Sequence, residues 1–140
     1  MADIFDKETR SYVMSRIRSK DTKPELLVRK YFFSQGFRYR LHEKKLPGTP
    51  DITLPKYHTV IFVHGCFWHG HKNCKYACIP KTRTEFWMNK IARNKMNDRT
   101  NIKLLKSLGW QVLVIHECQL KKDKINRSLK KIVEKINQRL

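Results

Sequence analysis

Residues 64–74 carry the side chains most able to do chemistry. Eleven positions hold three histidines, two cysteines, the adjacent aromatics Phe67 and Trp68, and two glycines. That mixture makes poor core and poor linker. It suits a loop at a strand end that holds a metal and a reactive centre. Cys66, His71 and Cys74 have the spacing C-x4-H-x2-C, so one loop can wrap them around a single ion. Zinc in structural sites takes four ligands of thiolate sulfur and imidazole nitrogen. The fourth must come from elsewhere, from Cys118 or Cys78. His64 and His69 are then free for a second centre, where neutral imidazole acts as base, acid or donor. The plainer alternative is a zinc knuckle with surface histidines.

Two carboxylates outside the loop are candidates. Asp51 follows Pro50 and opens a short apolar run, which makes it a turn cap or a metal ligand. Asp98 falls in a long helical segment, about 84–108. At about 100° per residue it shares a stripe with Trp87, Ile91, Ile102 and Leu105. A carboxylate on an apolar face costs several kcal/mol to bury unless it is paired. A histidine of the 64–74 loop is a fitting partner. The alternative is a helix rotation that leaves Asp98 at the water line.

The composition sets bounds. Lys and Arg number 31 against 12 Asp and Glu, a formal charge of +19 and a pI near 10.1. Such an excess attracts polyanions, nucleic acid first. At 140 residues the chain is expected to form one domain with its own core. It contains no apolar stretch of about 18 residues, so no membrane span is expected. Its N-terminus lacks the basic head and apolar run of a secretory signal. Four cysteines clustered with histidine point to a metal in a reducing compartment.

The positioning elements follow from local pattern. Residues 9–19 read as a short basic helix, an arm that docks on the body or orders on a partner. Thr22, Pro24 and Glu25 form the start of a second helix, with Glu25 placed as the return half of a capping box and Gly36 as the stop. Strands are expected at 37–41, 51–54, 57–63 and 110–115, and a last amphipathic helix at about 122–139. The run 110–115 is almost wholly apolar, which predicts burial on both faces of a sheet. If it lies parallel to the strand ending at Val63, Cys118 arrives beside Cys66 and becomes the fourth zinc ligand.

A Pro-Asp followed by a strand with two further site positions resembles the metal-dependent nucleases of the PD-(D/E)xK superfamily. Here Phe62 and His64 occupy the usual Glu and Lys slots. With FVHGCFWHGH, Cys74, PKTRTEFW, Asp98 and Glu117-Cys118, and the run 14–25, the chain resembles the very-short-patch repair (Vsr) endonucleases over nearly its whole length. The resemblance implies an α/β fold, a central mixed β-sheet flanked by helices, restriction-endonuclease-like, with a structural zinc site. It implies a single nuclease domain over 1–140, with 1–20 as a DNA-clamping arm.

The implied activity is Mg²⁺-dependent nicking of one DNA strand beside the thymine of a T·G mismatch, the product of 5-methylcytosine deamination. Asp51 would hold Mg²⁺ with the Val63 backbone carbonyl. His69 would be the base, oriented by Asp98, with His64 near the scissile phosphate. Glu25 would join the water and metal network, a role beyond capping. Cys66, His71, Cys74 and Cys118 would hold Zn²⁺. Phe67, Trp68 and Trp87 would wedge into the base stack. The implied partners are mismatched double-stranded DNA and mismatch-repair proteins, for a monomer in the bacterial cytoplasm. In one respect the chain departs from many relatives: Lys72-Asn73 adds a residue between His71 and Cys74, which keeps Cys78 open as a ligand.

Overall fold

The computed structural model describes residues 22–72 and 74–139. The helix expected at 9–19, and the arm at 1–20, lie outside the described residues. The first described helix, α1 (Lys23–Ser34), starts at Thr22, whose Oγ1 accepts the Glu25 backbone N–H at 3.4 Å, with Pro24 in the first turn. It ends at Gln35 and Gly36, the latter at φ +86°. Val28 and Phe32 are fully buried on its inner face.

Among the described residues four strands form one sheet in the order β1-β2-β3-β4. β1 (Arg40–Leu41) pairs antiparallel with β2 (Ile52–Leu54), and β2 antiparallel with β3 (Thr59–His64). β3 and β4 (Gln111–His116) run parallel, His64 opposite His116. The connection between them carries α2 (Thr84–Ser107), as a parallel pair requires a long crossover. The mixed sheet expected from the sequence is therefore present.

Local boundaries differ for definite reasons. Phe37 leaves the sheet ladder because its ring packs edge-on against Phe32 and Tyr57, so β1 shortens to two residues. Tyr57 belongs to a 3-10 turn (Pro55–Tyr57) rather than β3, since pairing of Leu54 with Thr59 leaves 55–58 to reverse the chain. Trp110 sits before β4 and stacks on His58 at 4.0 Å. The last helix, α3 (Ile125–Asn137), begins later than expected, after a 3-10 turn at Glu117–Leu120.

Both faces of the sheet are covered. One core joins α1 and α3 to the sheet through Val28, Phe32, Ile61, Leu113, Ile115, Leu129, Ile132 and Ile136. The other joins α2 through Leu105 to Val60 and Phe62, with Val112 and Val114 against it. The alternation of β4 residues between the two clusters explains why Val112 to Ile115 are apolar without a break. Among the described residues no helix is long and apolar enough to cross a membrane.

Candidate active site and metal centres

The parallel register of β3 and β4 decides the site. His64 and His116 end the two strands side by side, so Cys66 and Cys118, each two residues further on, also meet. The Cys118 backbone N–H donates to Cys66 Sγ at 3.4 Å, and Cys118 Sγ lies 3.4 Å from His71 Nδ1. The loop after β3 folds back through His71 N–H to Cys66 O at 2.9 Å. Cys66, His71, Cys74 and Cys118 thus bring their ligand atoms within 4.8 Å of one another. Cys78 is exposed and outside this group, its thiol donating to Lys75 O at 3.1 Å.

Three thiols and one imidazole are the donor set of a closed tetrahedral site. Burial pushes the Cys66 thiol up to about 12, and burial also raises Cys118. Buried thiols of that kind become thiolates readily only beside a cation. The residues fit zinc.

The loop's other histidines point to a second centre. His69 Nδ1 lies 2.7 Å from Asp98 Oδ2. Its ring stacks on that of His64 at 3.7 Å and 2° between planes, and His64 Nε2 is 4.0 Å from Asp98 Oδ1. The stripe predicted for α2 therefore faces the sheet with Asp98 on it, and the partner is a histidine of the loop. Gly70 allows the loop to close on α2: at φ +56°, a Cβ there would stand 2.6 Å from Ile91 Cγ2. Asn94 Nδ2 adds a bond to Trp68 O at 2.8 Å. Burial lowers His64 to about 4, with His69 adding to the shift, so His64 is neutral near pH 7. A neutral His64 puts no like charge against the ring of His69 stacked on it.

The third group was only half foreseen. Asp51 and Glu25 meet, and His42 joins them, with all three ligand atoms within 4.8 Å. Asp51 Oδ2 accepts the Val63 N–H at 2.7 Å, so Val63 contributes its backbone to fixing the carboxylate. Glu25 is 1 % exposed. Its carboxylate is bonded by Arg29, with Nε at 2.9 Å, and by His42 Nε2 at 3.0 and 3.1 Å. Glu25 thus has its cap position and a second role in the interior. Burial, then the charge of Glu25, raise Asp51 to about 7 against the pull of the Val63 N–H. A buried carboxylate set against a half-buried one is the environment a divalent ion relieves.

Asp51, Val63, His64, His69 and Asp98 line one cleft of about 480 Å³, with His42, Lys44, Asn101 and Phe62. Beside it Phe67, Trp68 and Trp87 touch edge to face at 5.1 to 5.8 Å between centroids. Each is half-buried, and none belongs to either core cluster. Lys90 Nζ lies 5.8 Å over the Trp68 ring. Phe62, by contrast, is core.

Sequence reasoning missed His42 and His116. His42 follows β1, and its N–H donates to Asp51 O at 3.2 Å, so recognising the β1–β2 hairpin would have placed it beside Asp51. His116 stacks on His71 at 3.7 Å, its Nδ1 buried without a partner. The parallel register with His64 was its signal.

Comparison with known proteins gives the family. The family model described as DNA mismatch endonuclease Vsr matches residues 2–76. A type II nicking enzyme of Neisseria meningitidis serogroup A, V.NmeAIP, is 48 % identical over 141 residues, covering 97 % of this chain and 100 % of the relative. A type II nicking enzyme of Xanthomonas oryzae, V.XorIIP, is 47 % identical over 86 % of this chain and 88 % of its own. The DNA mismatch endonuclease Vsr of Escherichia coli is 46 % identical over 86 % of this chain and 77 % of its own. With a matching family model over more than half its length and relatives this similar over more than three quarters of both lengths, the chain belongs to the Vsr family of DNA mismatch endonucleases.

Proposed function

We propose that this protein nicks one strand beside the thymine of a T·G mismatch, with Mg²⁺ or a similar divalent ion at Asp51 and zinc holding the fold. The observation that carries the reading is the single cleft in which Asp51, with Glu25 behind it, opens opposite the His69–Asp98 pair. We read the sheet as restriction-endonuclease-like, the chain as one nuclease domain over 1–140, and the protein as a monomer of the bacterial cytoplasm that also meets mismatch-repair proteins.

A carboxylate can only accept, so the hydrogen between His69 and Asp98 sits on Nδ1 and leaves the Nε2 lone pair for a water proton. Asp98 holds that tautomer and stabilises the imidazolium that forms. His64, neutral, offers a ring N–H toward a phosphate oxygen. Asp51 and the Val63 carbonyl would hold the divalent ion, and Glu25 would join its water network. When bound, that ion neutralises charge building on the phosphate oxygens.

The rings of Phe67, Trp68 and Trp87 recover stacking when a weak pair opens, and a wobble pair is opened at less cost than a matched one. The excess of 31 cationic over 12 anionic side chains serves the backbone of any duplex and carries no sequence information.

The test is a nicking assay on T·G and T·A duplexes of one sequence, with Mg²⁺ and with a chelator selective for it. Ion-dependent single-strand nicking confined to T·G is expected. Equal cutting of both strands in matched DNA identifies a restriction-type nuclease. Tight binding with no cleavage under any ion identifies a zinc-stabilised binding module.

A further inference from the structure

His42 is the histidine in the cleft that neither the loop spacing nor the nuclease pattern accounts for. It leaves the end of β1 in the left-handed region, at φ +49°, and is tied by its N–H to Asp51 O at 3.2 Å. Its ring is 17 % exposed and lines the cleft beside Asp51. Nε2 faces both oxygens of Glu25 at 3.0 and 3.1 Å, and the three ligand atoms of Glu25, His42 and Asp51 lie within 4.8 Å of one another. An ion drawn to Asp51 therefore meets an imidazole nitrogen as well as carboxylate oxygens.

We propose that His42 is a nitrogen ligand of the divalent ion at Asp51 and Glu25, and that the site consequently favours a first-row transition ion such as Mn²⁺ over Mg²⁺. The inference rests on the reading of Asp51 as the ion-holding carboxylate. Mg²⁺ is a hard ion that takes oxygen ligands and keeps its waters. Imidazole is a softer donor than carboxylate oxygen, and first-row transition ions accept it more readily than Mg²⁺ does, with Mn²⁺ the weakest binder of that series. Ligation uses the Nε2 lone pair, so the proton that Nε2 shares with Glu25 is carried on Nδ1 in the ion-bound form. Arg29 stays on Glu25 and keeps that carboxylate from being left unpaired when His42 turns to the ion.

The other histidines of the cleft are committed differently. His69 is bonded to Asp98, and His64 is stacked against it. They form a second group able to hold an ion, and the experiment must separate the two.

The probe is Mn²⁺ added to the zinc-loaded protein, followed by electron paramagnetic resonance. Wild type is expected to show imidazole nitrogen coupling to the bound Mn²⁺, and Mn²⁺ binding at least about tenfold tighter than Mg²⁺ by competition, as a nitrogen donor implies. In His42→Gln the coupling disappears and the Mn²⁺ to Mg²⁺ preference falls by about tenfold, because the amide offers oxygen in place of nitrogen. His69→Gln retains the coupling.

Absence of nitrogen coupling in the wild-type protein overturns the proposal without any variant, whether or not His42→Gln folds. Coupling that survives in His42→Gln and vanishes in His69→Gln overturns it as well. Asp51→Asn separates this inference from the function beneath it. Loss of both nicking and Mn²⁺ binding in Asp51→Asn, with coupling intact in His42→Gln, refutes the His42 assignment alone. Unchanged nicking and ion binding in Asp51→Asn refutes the placement of the ion at Asp51.

Discussion

His69 donates from Nδ1 to Asp98 Oδ2 across 2.7 Å, although one residue sits in a loop after a strand and the other in the middle of a 24-residue helix. The bond fixes the imidazole's tautomer and its plane together. Asp98→Asn keeps the shape but can present a donor to Nδ1 and so favour the other tautomer. Single-turnover nicking is expected to fall by about 10²–10⁴-fold, while affinity for mismatched DNA changes little. A rate within about threefold of wild type removes His69 from the role of base.

Asp51 ties ion binding to pH. Unfolded, its carboxyl ionises near 3.8; folded and free of metal, at about 7. Between those values the folded protein keeps a proton that the unfolded chain has lost. The stability this group contributes is therefore present below about pH 4, declines as pH rises, and is gone above about pH 7, at most about 1.4 kcal/mol per pH unit. Burial is the main cause of that shift, with the charge of Glu25 adding to it and the Val63 N–H and His42 opposing it. The ion-free wild type should lose more melting temperature between pH 5 and pH 7.5 than Asp51→Asn, which stays neutral throughout. Added divalent ion should restore wild type at pH 7.5 and leave the variant unmoved. Parallel melting curves for the two proteins contradict the raised Asp51.

Zinc removal tests the four-residue group. Structural zinc contributes on the order of 10 kcal/mol in small sites, so a strong chelator should unfold the protein. Cys66→Ala and Cys118→Ala should each lose the metal. Cys78→Ala should bind one zinc per chain and melt within a few degrees of wild type, because the Cys78 thiol is exposed and donates to Lys75 O, outside the group of four. A loss of zinc in Cys78→Ala with retention in Cys118→Ala would reverse the assignment.

Trp68→Ala tests selectivity. Ring stacking on a base is worth roughly 1–3 kcal/mol, so the ratio of T·G to T·A nicking rates should fall by about tenfold or more. Salt-sensitive binding to matched duplex should hardly change. Phe67→Ala should act in the same direction. Trp87→Ala needs its melting temperature measured alongside, since α2 packs its inner face against the sheet. An unaltered ratio in folded Trp68→Ala rules out a wedge role for that ring.

The sequence by itself determined the loop chemistry and the helix phases. C-x4-H-x2-C is a local spacing, and three of its group's four members lie within nine residues of one another. The position of Asp98 on an apolar stripe is likewise fixed by helical periodicity, which depends only on the order of residues. The nearly continuous apolar run 110–115 announced a sheet covered on both faces. What the sequence left open were choices between equally spaced alternatives. Only the parallel register of β3 with β4 brings Cys118 to Cys66 and leaves Cys78 outside, because register is set by packing on two faces and has no local signature. Glu25 shows the same limit: its cap position was visible, but its carboxylate turns inward to His42 and Arg29, and nothing in the helix start encodes that. His42 escaped notice because a lone histidine acquires meaning only from the strand pairing that carries it to Asp51. Long-range pairing, not residue type, decides which of the available donors share a cleft.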